Sequence, residues 1–533
     1  MSLLYYLLVI RSGSRRLPPG PRPLPLIGNL LDLRGNLHHA LARLAQAHGP
    51  VMHLKLGLTT MVVVSSRDTL REAFAKHDKR LAARNVPDAA RVLSDVAMLY
   101  QPSSDPQWKT MRGLVASHVV SPRSLAATRG VREGKVRDLV RHLRGRAGRE
   151  VEVAQAVFGG VINLISGTFF SADAVEIGDA SAHGLHQQVE VLMDSITRPN
   201  VSDLFPFLGR LDLQGIRREA SGYLENVFRI LDRIVERRLA EKASAATEDN
   251  NKHHDFLDTL LGLMSTGKID RNTMRASMLE LFVAGSDTTA STVSWTMAEL
   301  LHNPSVMAKV REEIKATFGG KEAIEEPETA RLPYLQAVVK EAMRLHPVAP
   351  LLLPHKAVED GVEIGGYVVP KGSTVLFNTW AIMRDKTLWE RPEEFVPERF
   401  MDAAREQVDF RGSKELDFLP FGTGRRQCPG LPFAERVVPH VVASLLHAFE
   451  WRLPDGVSPD QLDLSERFTT VNYLATPLKA VPIFMAGFNF AIWLGMKLGG
   501  CGTAETSQAC TRWQSGTPNL ETRLDDEGSH HQR

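Results

Sequence analysis

Cysteine is scarce in this 533-residue chain, with only Cys428, Cys501 and Cys510 present. That excludes a disulfide-stapled scaffold and suits a reducing compartment such as the cytosol. An excess of one charge sign is lacking too, with 64 Lys and Arg against 62 Asp and Glu. The formal net charge is +2, so nothing demands nucleic acid. The apolar run at residues 1–10, MSLLYYLLVI, is half the roughly 20 residues that a spanning helix needs. Alone it cannot cross a bilayer, and Arg11, Arg15 and Arg16 behind it fit a cytoplasmic flank. No G-x-G-x-x-G lies between a strand pattern and a helix pattern, so no dinucleotide fingerprint is present. What remains is ordinary for a folded protein: 43% hydrophobic and 24% charged residues, which excludes wholesale disorder.

The most informative stretch is Phe418–Gly430, FLPFGTGRRQCPG. Gly422 and Gly424 permit backbone angles that other residues resist. Arg425 and Arg426 place fixed charge just before Cys428. After Pro429-Gly430 an apolar run at helical spacing begins, which puts the sulfur near a helix N-terminus. Amide N–H groups and the helix dipole favour an anion there, so Cys428 is expected to be a thiolate, the form that binds metal. An isolated cysteine is more often a buried, inert hydrophobe. The spacing around this one is the argument against that.

Phe421, Gly424, Arg426, Cys428 and Gly430 match F-x-x-G-x-R-x-C-x-G, and on these residues the chain resembles the cytochrome P-450 monooxygenases. The resemblance extends from about residue 18 to 482. It implies haem b (iron protoporphyrin IX) with Cys428 as axial ligand to the metal, a ligand that favours O–O cleavage. It also implies that Arg426 pairs with a haem propionate. The fold it implies is mainly α with a small β region.

Other stretches carry the same resemblance. Trp108 and Arg112 stand four apart in QWKTMRG, on one helix face. The family's W-x-x-x-R clasps a propionate. Asp270–Leu301 has no proline and is expected to form one helix of about 45 Å. Its pattern breaks at AGSDTT, Ala284–Thr289, where glycine, an acid and β-branched hydroxyls are poor helix material. This matches A-G-x-[DE]-T-T. Gly285 is then expected to bring backbone close to the haem, with Ala284 beside it. Asp287 and Thr288 are the expected proton-delivering pair. Glu341 and Arg344 in KEAMRLHP match E-x-x-R, and Arg399 falls in P-E-R-F. In the family these three close a buried salt-bridge network that serves folding and haem retention. His355, after PLLLP, sits where similar proteins face a propionate.

The remaining stretches organise the chain. Residues 17–30 hold five prolines and two glycines, which excludes helix and predicts a stiff extended hinge. Val51–Leu56 and Met61–Ser65 predict a β-hairpin, and Pro350–Thr379 predicts short strands with turns at glycines. Residues 130–260 have mostly helical patterning, with breaks at Pro199 and Pro206. His38-His39 and His253-His254 lack partners at ligand spacing and are expected to be solvated surface. Val348–Leu352 and Thr469–Tyr473 occupy positions that usually line the substrate pocket, so the substrate is expected to be an apolar small molecule. The expected division is 1–16 as a shortened membrane anchor, 17–30 as hinge, 31–482 as haem domain, and 483–533 as a disordered extension. Ile483–Leu498 offers an alternative there, a segment lying on a membrane surface.

The wording of the motifs is similar to the plant microsomal branch, and within it to the terpenoid-oxidising group that includes geraniol 8-hydroxylase. This implies hydroxylation of a terpenoid with O2. Electrons would come from NADPH through NADPH–cytochrome P-450 reductase, which could dock on a basic face including Arg425 and Lys414. It also implies a monomer at the cytosolic face of the endoplasmic reticulum membrane, with no nucleic-acid partner. A haem-thiolate isomerase or dehydratase that needs no reductase stays open, as does an inactive product.

Overall fold

Asp270 starts the helix on which the site is built. Its carboxylate accepts a hydrogen bond from the Thr273 amide at 2.7 Å and caps Arg271–Leu279. Glu280–Ala284 then widens into a π turn, and Gly285–His302 resumes α geometry. The expected long helix is therefore present. Its irregularity lies immediately before Gly285, a place where π turns often mark function. The computed structural model describes residues 17–244, 255–402, 405 and 408–485. The 1–16 segment, His253-His254, Cys501, Cys510 and the extension beyond Met485 lie outside the described residues.

The described part is mainly helical. Val153–Phe170 is apolar on nearly every face and almost wholly buried. It is long and apolar enough to span a bilayer, but it serves here as a core helix. It packs against Arg129–Arg144 on one side and Gly285–His302 on another. Leu431–Ala448 closes the core from a third direction. Burying side chains such as Phe158, Phe170, Trp295 and Val441 stabilises the core by about 1.5–3 kcal/mol each.

The β region lies in small sheets. The largest has five strands in the spatial order Val51–Leu56, Thr59–Val64, Thr374–Phe377, His355–Lys356 and Ala83–Arg84. The first two form the expected hairpin in antiparallel register, with Val51 opposite Val64. Thr59–Val64 and Thr374–Phe377 run parallel. The antiparallel pairing of His355–Lys356 with Ala83–Arg84 sets His355 and Arg84 opposite each other in register. A three-stranded sheet joins Val151–Glu152, Lys479–Phe484 and Phe449–Arg452. Ile483 and Phe484 are thus strand residues of the main unit, not the start of an extension.

Two sequence expectations change here. The proline-rich stretch is irregular up to Pro23, turns back on itself between Leu24 and Gly28, and is fastened down along the strand. His53 N donates to Pro19 O at 2.8 Å, and Lys55 N donates to Asn29 Oδ1 at 2.9 Å. Its Gly20 lies so close to the strand that a Cβ would fall 2.0 Å from His53 O. The second change concerns His38 and His39. His38 is fully buried, and both Nε2 atoms reach Glu466 Oε2, at 2.7 and 2.6 Å. Glu466 Oε1 accepts from Asn472 Nδ2 at 2.9 Å and lies 3.4 Å from His346 Nδ1. Burial alone would raise the Glu466 carboxyl, but its bonds to His346, His38 and His39 hold it well below the usual carboxylate range. Spacing could not show this, because Glu466 is 428 residues from His38. The hub ties the Leu37–His48 helix to the hairpin Glu466–Phe468 and Asn472–Leu474.

Candidate active site

The Cys428 loop takes its shape from two glycines. Gly422 and Gly424 have φ of +67° and +72°. A Cβ on Gly424 would fall 2.6 Å from Asp78 Oδ1 and 2.7 Å from Phe74 Cδ1, so glycine lets the loop lie against the helix Arg67–Leu81. Phe421 packs on the core, and its carbonyl accepts from Cys428 N at 3.0 Å. Gly430 caps Leu431–Ala448, and the amides of Gly430 and Leu431 donate to the Cys428 sulfur.

The sulfur keeps accessible surface, yet it lies deep in protein. Burial pushes its thiol above the ordinary value, against the pull of the two amides and Arg112. The helix-end field expected from the sequence is present and opposes desolvation, and a bound metal cation would favour the thiolate further.

Three arginines gather beside this loop. Arg426 spans Ala82 O at 2.7 Å, Met98 O at 3.2 Å and Gln101 O, and its guanidinium lies 5.0 Å from the Trp108 ring centroid. Arg112 donates to Gln427 O at 2.5 Å. Arg84 donates to Leu353 O, while its buried Nε has no partner. Among the described residues none of the three is in a salt bridge. Burial, with repulsion from Arg426, brings Arg84 down to about 9; burial and Arg112 bring Arg426 to about 10.

His355 joins them. Its Nδ1 is 2.7 Å from Leu81 O, and burial beside Arg84 lowers it to about 3, so the ring is neutral. Arg84 was not singled out in the sequence, where it is one of 64 basic residues. Only strand pairing brings it here. A cationic cluster with no salt bridge among the described residues, an orphaned buried N–H and the Cys428 sulfur beside them together fit haem b, whose carboxylates would supply further anions.

The acid and alcohol of AGSDTT are neighbours that face different ways. Thr288 Oγ1 donates to Ala284 O at 2.6 Å, on the side where Ala284 is exposed. Asp287 is buried and accepts from the Tyr473 hydroxyl at 2.6 Å. Burial pushes its carboxyl up to about 7, with the Tyr473 bond opposing. A Cβ on Gly285 would meet Ile165 Cδ1 at 3.0 Å, so the bare backbone there lets Val153–Phe170 pack close.

The clamp assembles as read. Arg344 Nε and Nη2 contact Glu341 Oε2 and Oε1 at 2.8 and 2.9 Å, both residues fully buried. Arg399 Nε reaches Glu341 Oε1 at 2.9 Å. Arg344 also caps three carbonyls: Met383, Pro392 and Glu394. Of the basic face, Arg425 is drawn to Asp78 at 3.6 Å, and Lys414 is exposed.

The cytochrome P-450 family model matches residues 18–476. Oryzalexin E synthase of rice (Oryza sativa subsp. japonica) is 56% identical over 494 residues, 91% of this chain and 96% of the relative. Ent-cassadiene C11-alpha-hydroxylase 1 of the same organism is 54% identical over 491 residues, 91% of this chain and 97% of the relative. A further rice protein, cytochrome P-450 76M5, is 58% identical over 496 residues, 91% of this chain and 97% of the relative. With match, fold and cysteine loop in agreement, this chain belongs to the cytochrome P-450 family of haem-thiolate monooxygenases.

Proposed function

We propose that this chain hydroxylates a diterpenoid, using dioxygen and electrons passed from NADPH by a separate reductase. The observation that carries the substrate class is identity above one half, along nearly the whole length, to a relative named as an ent-cassadiene hydroxylase. The interior supports it: Leu351 and Val471, in the stretches expected to line the pocket, are buried apolar residues.

Bound haem supplies the activation of dioxygen; the protein supplies the surroundings. Cys428 holds the metal as thiolate. Arg84, Arg112 and Arg426 neutralise the carboxylates, with Trp108 and His355 packed beside them. Thr288 Oγ1 and Asp287 hold protons on the central helix. Glu341, Arg344 and Arg399 keep the cysteine side of the fold closed.

The chain works at a membrane surface, on the cytosolic side of the endoplasmic reticulum, as a monomer with 17–30 leading into the haem domain. Leu24, Leu26, Leu58, Phe207, Leu211 and Leu213 are all exposed. Hydrogen bonds from Gly57 N to Ile27 O and from Leu58 N to Leu204 O join the segments that carry them. A patch of this kind marks a membrane or protein contact.

The test is reconstitution with NADPH and a plant reductase, offering ent-cassadiene and geraniol separately under labelled dioxygen. One labelled oxygen atom in a diterpene alcohol is the expected result. Label in geraniol oxidation products alone overturns the diterpenoid assignment. Product without NADPH overturns the monooxygenase chemistry.

A further inference from the structure

His38 and His39 serve neither the haem site nor the clamp. Adjacent residues of a helix point about 100° apart. Here, in the first turn of Leu37–His48, both rings nevertheless converge on one oxygen. Nε2 of His38, Nε2 of His39 and Glu466 Oε2 all lie within 4.8 Å of one another. The two rings stand edge to face, with centroids 4.2 Å apart. Two imidazole nitrogens and a carboxylate oxygen are a donor set that suits zinc and its neighbours among the divalent transition metals.

The surroundings hold this set in place. Asn36 Nδ2 donates to Glu466 O at 2.6 Å, and Asn36 Oδ1 accepts from Phe468 N at 3.1 Å, which fixes the acid's strand against the start of the helix. Asn472 and His346 engage Glu466 Oε1, which leaves Oε2 to the two rings. Outer partners of this kind orient a metal-binding carboxylate. Trp380 walls the site, its ring 4.5 Å from that of His39 and 5.5 Å from that of His38. The His39 side chain is 42% exposed, which gives an ion a way in. Arg384, 4.0 Å from Glu466 Oε1, opposes a cation, but its own contact with Glu393 at 3.2 Å offsets part of that.

We propose that His38 Nε2, His39 Nε2 and Glu466 Oε2 form a site for a zinc-class divalent cation, completed by water, that fastens the Leu37–His48 helix to the hairpin carrying Tyr473. Without the ion the cluster is the hydrogen-bonded hub described above, with contacts of 2.7 and 2.6 Å. Zinc sits about 2.0–2.1 Å from nitrogen or oxygen, so tetrahedral ligands stand about 3.3 Å apart and each contact must open by about 0.6–0.7 Å. The partly exposed His39 gives that room by turning its side chain. A neutral ring that binds moves its proton from Nε2 to Nδ1, so the protein loses neither proton nor electron. On His38, Nδ1 is buried without a hydrogen-bond partner, so that edge is unsatisfied with the proton or without it. Burial also holds the His38 ring below its ordinary value, in the neutral form that ligates. Magnesium and calcium, which prefer oxygen throughout, do not suit the site. The turn between the two hairpin strands belongs to Thr469–Tyr473, so the ion bears on a stretch expected to line the pocket.

The test uses the full, haem-loaded chain, treated with a chelator and then given one equivalent of zinc. Zinc-edge X-ray absorption is expected to show two imidazoles with oxygen ligands, and zinc but not magnesium to raise Tm by a few degrees. His39→Ala is expected to weaken zinc binding by at least ten- to a hundredfold, roughly the loss that outer partners alone produce, and to abolish the Tm shift. The chain's other adjacent histidines, His253-His254 and His530-His531, are replaced by alanine in a control that should bind zinc as the parent does.

The carbon monoxide difference spectrum reports folding in each case. Equal zinc affinity in the parent and folded His39→Ala overturns the site. So does binding that disappears with the other histidine pairs, an absorption spectrum with a single imidazole, or a parent that takes up no zinc.

Discussion

Arg399 and Glu341 lie 58 residues apart in sequence and 2.9 Å apart in space, Nε to Oε1. Glu341 is fully buried and also holds Arg344. Removing the shared acid leaves two cations without their counter-charge. Glu341→Gln is therefore expected to cost about 3–5 kcal/mol. Thermal unfolding should show it, together with loss of haem from purified protein. Arg399→Ala should cost less, since Arg344 remains to neutralise Glu341. Equal stability of Glu341→Gln and parent would remove the clamp from the account of folding.

Thr288→Ala removes the hydroxyl now bonded to Ala284 O. The carbon monoxide band should persist, while NADPH electrons shift from product to peroxide. General acid contributions of this kind are about 10²–10⁴-fold, so the product rate should fall by at least the lower figure. Equal peroxide yields in variant and parent would refute the hydroxyl's role.

Gly285→Ala tests the helix contact. The new Cβ would meet Ile165 Cδ1 at 3.0 Å, an overpacking that costs roughly 1–3 kcal/mol. Ile165→Val deletes that Cδ1, so the double variant should recover part of the loss in a denaturant titration. No recovery would mean that glycine serves another neighbour.

The Glu466 hub gives a pH dependence with a definite sign. Its folded carboxyl is held below the unfolded value, so its stabilisation is complete above roughly pH 4.3 and is lost as pH falls. The gap in Tm between parent and Glu466→Gln should be widest near neutral pH and shrink below pH ~4. The comparison matters because Glu280 and Asp287, each pushed by burial up to about 7, act in the opposite sense in both proteins. A gap that stays constant down to acid pH would remove the ionised form from the hub.

Much of the site was legible because motif residues act through local spacing. Helix N-termini, glycines at positive φ and an i,i+3 acid–base pair are properties of short stretches. By itself the sequence determined the cysteine loop, the clamp acid and its arginines, the central helix with its weak point, and the mainly helical class. Tertiary structure alone decided which distant groups complete them. Strand pairing puts Arg84 beside His355. The Glu466–Phe468 and Asn472–Leu474 hairpin turns Tyr473 onto Asp287 and Glu466 onto His38. It also decided that Asp287 and Thr288, adjacent in the chain, face different sides. The physical reason is burial. Desolvation sets the acidity of Cys428, Asp287 and His355 more than any neighbour in sequence, and depth in a fold is a sum over residues far away along the chain.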